Sequence, residues 1–224
     1  MPTTPAKSPN DPEGNILDRT LRVLYCGETA YDPVWKQMQT FTAARDESSQ
    51  DELWLLQHSP VFTIGLNGSS KHLLDPGKIP VIHVDRGGQV TYHGPGQLVA
   101  YVLIDLARHR LGVVDLVRFL EQSVIDLLTD YGIAGNTKSG APGVYVAGSK
   151  LAAVGLRVKK ACCYHGLAIN VNMDLEPFSR INPCGYPGLP VTQLCDLGIT
   201  ADTLEIRAGL ESHLVRRLGY TVAK

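Results

Sequence analysis

No stretch of this chain approaches the ~18 consecutive apolar residues of a membrane-spanning helix. Its opening, MPTTPAKSPNDPEGN, lacks the apolar core of a secretory signal. A cytoplasmic protein is expected. An excess of one charge is missing too: 21 Lys and Arg stand against 22 Asp and Glu, a net charge of −1. That balance excludes whole-molecule attraction to nucleic acid or to an anionic membrane and leaves only local patches. The five cysteines are odd in number and form no CxxC pair, which argues against a secreted disulfide framework and against a zinc site. No metal is expected. Internal repeats, long linkers and breaks in composition are absent as well, so the 224 residues read as one domain.

Residues 1–18, rich in proline and polar groups, are expected to form a flexible tail, with a single domain over 19–224. LRVLYCG (21–27) reads as a strand. Asp32-Pro33 starts a helix that carries Trp35, Met38, Phe41 and Thr42 at helical spacing to about Arg45. DELWLLQH, VFTIG and VIHV are further strand candidates, with LNGSSKHLLDPGKIP as a loop. QLVAYVLIDL is almost continuously apolar, as a strand buried on both faces would be. The three-and-four spacing of Val117, Leu120, Val124, Leu127, Leu128 and Tyr131 predicts a helix over 113–131, closed by Gly132. GVYVAG, LAAVGLRV and YHGLAINVN form a meander. A last helix over 202–218 starts on the capping pair Asp202 and Glu205 and buries Ile206, Leu210, Leu214 and Leu218. Together these elements indicate the α+β class.

The densest stretch is RGGQVTYHGPGQ (86–97), with four glycines, an arginine and a histidine in twelve residues. Glycine marks backbone that turns tightly or passes close to another group. A plain hairpin loop would need no Arg, Tyr and His among the glycines, so a binding loop is indicated. His93 is open to two readings, proton carrier or structural ring, while His165 reads as structural. Cys184 lies in the rigid, turn-rich INPCGYPGLP, which can present an accessible thiol, whereas Cys26 and Cys195 read as core. Lys150 enters a glycine-flanked strand whose backbone permits close approach to a ligand. Residues 143–150 nearly spell a phosphate loop. The last two residues are in the wrong order and a strand follows, so nucleotide binding is rejected there.

Three blocks, RGGQVTYHGPGQLVAYVLIDL, GVYVAGSKLAAVGLRV with YHGLAINVNMDL, and FSRINPCGYPGLPVTQL, closely resemble the lipoyl(octanoyl) transferases in sequence and order. The resemblance covers roughly residues 86–194. It implies the fold of the biotin and lipoate ligases, a mixed β-sheet flanked by helices. It further implies transfer of an octanoyl or lipoyl group from acyl carrier protein to a lysine of lipoyl-accepting domains, without ATP or cofactor. The acceptors would be lipoyl domains of 2-oxoacid dehydrogenase complexes and the glycine cleavage H protein, and the enzyme a monomer. By position, Cys184 corresponds to the cysteine that carries the acyl group and Lys150 to the lysine that favours its thiolate. Substrate contacts would come from Arg86, Gly87, Gly88, Gln89, Val90, Thr91, Tyr92 and His93, from Ala153, Val154 and Gly155, and from Gly166, Leu167 and Ala168. Cys162 and Cys163 fall where a turn of small residues is expected, which touches redox sensitivity. The competing readings are an ATP-dependent lipoate or biotin ligase and a catalytically silent carrier-binding module of the same fold. Glycines 87, 88, 94 and 96 are expected to offer backbone N–H groups to the thioester oxygen. LAAVGLRV and GLAINV would wall a slot for the acyl chain.

Overall fold

The computed structural model describes residues 20–223, so the expected tail lies outside them. An eight-stranded mixed sheet forms the body, with strands β1 (Thr20–Thr29), β2 (Asp51–His58), β6 (Gln97–Asp105), β7 (Asn136–Thr137), β8 (Gly143–Val146), β9 (Ser149–Lys159), β10 (Cys162–Asn170) and β11 (Thr221–Val222). Their order across the sheet is β11-β1-β2-β6-β10-β9-β8-β7. The β11-β1 and β1-β2 pairs are parallel and the others antiparallel. A second, three-stranded sheet joins β3 (Val61–Ile64), β4 (Val81–His83) and β5 (Val90–His93) in the order β4-β3-β5. The predicted meander is β8-β9-β10.

β6 explains why its sequence is apolar at nearly every position. Leu98, Ala100, Val102 and Ile104 pack on one face against the helices α2 (Val113–Asp130) and α3 (Thr203–Leu218). Val99, Tyr101 and Leu103 pack on the other face, against Val34 and Met38 of α1 (Tyr31–Ala44). Side chains alternate across a strand, so a strand between two helical layers needs apolar residues of both parities. α3 begins as its sequence predicts, with the Asp202 carboxylate accepting from the Glu205 N–H at 2.8 Å.

The expectations for four cysteines are corrected. Cys26 is exposed: β1 bulges between Tyr25 and Gly27, and β11 covers only Thr20 and Leu21, so this end of β1 is a sheet edge. Cys195 opens a short 3₁₀ turn and is half-buried. Cys162 and Cys163 are not in the turn. Lys160 and Ala161, both at positive φ, make it, and the two cysteines are buried at the start of β10. Burial pushes the Cys163 thiol up to about 12, so it is poorly suited to redox chemistry.

Buried Asp51 ties three regions together. It pairs with Arg45 after α1, and it accepts from the Asp105 N–H at 2.9 Å and from the Tyr220 hydroxyl, beyond α3, at 2.7 Å. The His109 ring lies 2.8 Å away. Removing one partner of a buried ion pair strands the other charge. Asp51→Ala should therefore lower the unfolding free energy by about 3–5 kcal/mol, measured by urea denaturation.

Candidate active site

Cys184 occupies a 3₁₀ turn, Pro183–Gly185, at φ +55° and ψ 17°. This left-handed backbone disfavours any residue with a β-carbon by roughly 1–2 kcal/mol. The turn is held by hydrogen bonds from Gly185 N–H to Asn182 O (2.9 Å), Tyr186 N–H to Pro183 O (3.1 Å) and Asn182 N–H to His72 O (2.8 Å). Downstream, the same segment is stitched to the strand that carries Lys150. Lys150 N–H donates to Pro190 O at 2.8 Å, and Thr192 N–H donates to Lys150 O at 3.0 Å. Residues far apart in sequence are thus locked backbone to backbone.

The Lys150 side chain is buried, and its Nζ donates to three acceptors: Cys184 Sγ at 2.9 Å, Pro142 O at 2.8 Å and Tyr145 Oη at 3.3 Å. A carboxylate is not among them. A buried amine requires hydrogen-bond partners, and these three acceptors supply them. Gly143 makes room for the amine. A β-carbon there would lie 3.0 Å from Lys150 Nζ and 2.2 Å from Ala152 O.

Cys184 and Lys150 line one cavity together with residues 86–91, His93, residues 151–155 and residues 165–168. The two expected strand triplets face each other, because Ala153 pairs with Ala168, Val154 with Leu167 and Gly155 with Gly166. Ala153, Ala168 and Val99, which share one face of the sheet, give the cavity an apolar wall, while Val154 and Leu167 border it and pack into the core beneath α2 and α3. Tyr92 is the one expected contact that does not border the cavity. Alternation along β5 sends its ring, with Val90, into the cluster of Phe62 and Phe178, while Val90 still borders the cavity. The four-glycine donor set is also corrected. Gly87 N–H already donates to Leu156 O at 2.9 Å and Gly96 N–H to Gln57 Oε1 at 2.7 Å, while Gly94 and Gly96 do not line the cavity.

Arg86 is buried and donates only to neutral oxygens: Thr63 Oγ1, Thr63 O and Gly87 O. Burial pushes its pKa down. Gly155 lets the Gly87 carbonyl pass close over β9, since a β-carbon there would sit 3.3 Å from Gly87 O. The neighbouring Asp85 faces α1 and β10. It accepts from Trp35 Nε1 (2.8 Å), Gln39 Nε2 (3.0 Å) and the Tyr164 hydroxyl, and lies 3.1 Å from His165 Nε2. Burial opposes its charge, but these hydrogen bonds hold its carboxyl well below the usual carboxylate range. The loop is therefore anchored on both sides of Arg86.

His93 is held as a neutral ring. Gln97 Nε2 donates to Tyr92 O (3.3 Å) and Asn170 Oδ1 (2.9 Å), which leaves Gln97 Oε1 as the acceptor for His93 Nδ1–H at 2.7 Å. Asn170 Nδ2 continues the chain to Thr192 O at 2.9 Å, one residue from the bridge to Lys150. Burial, reinforced by His58, pushes His93 down to about 3, and burial pushes His58 down to about 4. Of the two readings left open for His93, the geometry matches the structural one. Asp85, Gln97, Asn170, Pro142 and Tyr145 were not singled out from sequence. Only Tyr145 left a signal there: a two-residue turn at Ala147-Gly148 sets Tyr145 opposite Lys150.

This site lies on a fold whose sequence matches the lipoyl protein ligase A/B catalytic domain over residues 30–214, and the chain belongs to that family. Within it, the chain is 55% identical over 202 residues to an octanoyltransferase of Nitrosococcus oceani, covering 90% of each protein. It is 57% identical over 198 residues to an octanoyltransferase of Pseudomonas aeruginosa, covering 88% of this chain and 91% of the other. Among solved structures it is similar in fold to a lipoate-protein ligase A bound with ATP. The TM-score is 0.74 at 15% identity, covering 92% of this chain and 90% of the other. It is also similar to the biotin protein ligase of Aquifex aeolicus, with a TM-score of 0.56 at 14% identity, covering 88% and 68%. The fold is that of the lipoate and biotin ligases.

The histidines predict an acid-sensitive fold. An unfolded histidine takes up its proton below about 6.5, whereas the buried His58 and His93 rings wait until about 4 and about 3. Stability is full above pH ~6.5 and declines as pH falls toward these lower values, because the unfolded state binds more protons. Urea denaturation at intervals from pH 7 to pH 4.5 should show this decline, with a shallower slope in His93→Gln.

Proposed function

We propose that the enzyme transfers an octanoyl or lipoyl group from an acyl carrier protein thioester to a lysine of a lipoyl-accepting domain, through an acyl thioester on Cys184. The observation that carries this reading is the 2.9 Å contact between Lys150 Nζ and Cys184 Sγ at the edge of an apolar-walled cavity. A thiolate accepts acyl from one thioester and releases it to an amine, dividing one acyl transfer into two steps. In the first step Cys184 Sγ bonds to the acyl carbon, and the departing carrier thiolate takes a proton from Lys150. In the second, the neutral amine of the acceptor lysine attacks the same carbon. Its proton passes to Lys150, and Cys184 leaves as thiolate.

Lys150 must act as more than a countercharge. A cation raises the thiolate fraction, but nucleophilicity falls with basicity at a Brønsted slope of ~0.4–0.5, which offsets much of that gain. Proton transfer in both steps is the larger contribution, typically ~10²–10⁴-fold. His93, held neutral with its Nδ1–H donated to Gln97, serves as a fixed acceptor and not as a proton carrier. Gly88, at φ +88° on the cavity rim, is the loop glycine we assign to the thioester oxygen. The apolar walls select for acyl length at about 0.8 kcal/mol for each buried methylene.

We assign the whole reaction to one catalytic domain spanning 19–224, working as a monomer in the cytoplasm. Its donor is octanoyl-acyl carrier protein. The acceptors are lipoyl domains of 2-oxoacid dehydrogenase complexes and the glycine cleavage H protein. Relatives named octanoyltransferase support the acyl group, and among the described residues no helix is long and apolar enough to cross a membrane.

Intact-mass measurement after mixing with octanoyl-acyl carrier protein should show one octanoyl adduct, absent from Cys184→Ser. A wild-type enzyme that turns over without any adduct would overturn the covalent reading. Lys150→Arg keeps the charge but cannot give up its proton. It should slow transfer to the lipoyl domain by roughly 10²-fold or more; normal turnover in this variant would exclude the proton-transfer role.

A further inference from the structure

The hydrogen bonds around Lys150 point to a residue that no motif assigns. Tyr145 lies directly opposite Lys150 in the β8-β9 ladder. The register shifts there, so that Val144 pairs with Ala152 while Tyr145 pairs with Lys150, leaving Leu151 as an extra residue. This bulge re-aims the side chains, as bulges beside active sites do. The Lys150 amine lies beyond the hydroxyl end of the Tyr145 ring, with Nζ 3.3 Å from the hydroxyl oxygen and 5.2 Å from the ring centroid. The hydroxyl proton is already committed, since Tyr145 Oη donates to Ala141 O at 2.9 Å.

That commitment sets the direction of every bond around the amine. With its proton on Ala141 O, Tyr145 Oη faces Lys150 only as an acceptor. Pro142 O, 2.8 Å from Nζ, has no proton and is also only an acceptor. A tetrahedral amine that gives two N–H groups to two fixed oxygens has one position left, and Cys184 Sγ occupies it at 2.9 Å. In the ammonium form that position carries the exchangeable proton. In the neutral form it carries the lone pair.

We infer that Tyr145 is a positioning residue that, with the Pro142 carbonyl, keeps the exchangeable proton or lone pair of Lys150 aimed at Cys184 in both half-reactions. This rests on the proposed roles of Lys150 and Cys184. Without the hydroxyl, the amine turns about its Cε–Nζ bond with one oxygen fewer to hold it, and both proton transfers lose their alignment. The ring, retained in a phenylalanine, keeps the packing. Burial, and then the charge of Cys184, push the Tyr145 hydroxyl well above the ordinary tyrosine value, so it works as a neutral hydrogen-bonding group.

The test uses the full-length enzyme with octanoyl-acyl carrier protein and a lipoyl domain. Tyr145→Phe should form the Cys184 adduct but lose about 10-fold in kcat, the equivalent of one hydrogen bond worth about 1.4 kcal/mol. KM for the donor should stay within about 2-fold, because aim and not binding is altered. The pH dependence of Cys184 alkylation should move to higher pH, since the ammonium that favours the thiolate has lost an acceptor; a purely structural role would leave that midpoint in place. If Tyr145→Phe does not fold, difluorotyrosine introduced at position 145 alone keeps the shape and weakens the oxygen as an acceptor, and the same two shifts are expected. Unchanged kcat and an unchanged alkylation midpoint in a folded variant overturn the inference. Absence of an adduct in the wild-type enzyme overturns instead the function on which it rests.

Discussion

The backbone ladder that flanks Lys150 is the constraint on which the site depends. Pro190 and Thr192 bind the amide and the carbonyl of one residue, so the chain carrying Cys184 is placed against the chain carrying Lys150 by two hydrogen bonds. Side-chain contacts alone would leave this placement to rotamers. A flexible lysine loses about 2 kcal/mol of side-chain freedom when it is fixed, and a thiol on a mobile loop would add to that. Here the lysine is fixed at both ends, by the ladder at its backbone and by Pro142, Tyr145 and Cys184 at its amine. The chain from His93 through Gln97 and Asn170 reaches Thr192, so the glycine-rich loop is tied to the same ladder.

Charge in the cavity follows a consistent pattern. Lys150 and Arg86 are both buried, and neither is paired with a carboxylate among the described residues. The nearby carboxylate, Asp85, accepts hydrogen bonds from Trp35 and Gln39 of α1 and from Tyr164 of β10. Two buried basic side chains beside apolar walls favour a substrate that is neutral along its chain and gathers negative charge where it reacts. An acyl group in transfer fits that description, since its carbonyl oxygen gains charge only in the transition state.

Much of this was legible in the sequence because the controlling signals are local. DELWLLQH and QLVAYVLIDL carry strand propensity in every residue, and the helix over 113–130 shows its buried face at plain helical spacing. Cys184 and Lys150, with the cavity loop, came from motif resemblance, and the fold brings them within 2.9 Å of each other. What escaped notice depends on partners distant in sequence. Cys26 sits in apolar surroundings in the chain, yet a bulge and a short neighbouring strand leave it at an edge. Tyr92 lies among cavity residues, but strand alternation turns it the other way. The carbonyl of Pro142 is a backbone atom, and no residue identity could mark it as a ligand of Lys150.

The left-handed turn at Cys184 has an evolutionary consequence. At that φ and ψ glycine is the residue of lowest conformational energy, and glycine already stands next to it at Gly185, with φ +79°. In a descendant freed from selection for acyl transfer, replacement of this cysteine by glycine would be tolerated or stabilising, so the position would drift readily. On the role proposed for Cys184, persistence of a side chain there marks continued chemistry, sustained against the preference of the backbone.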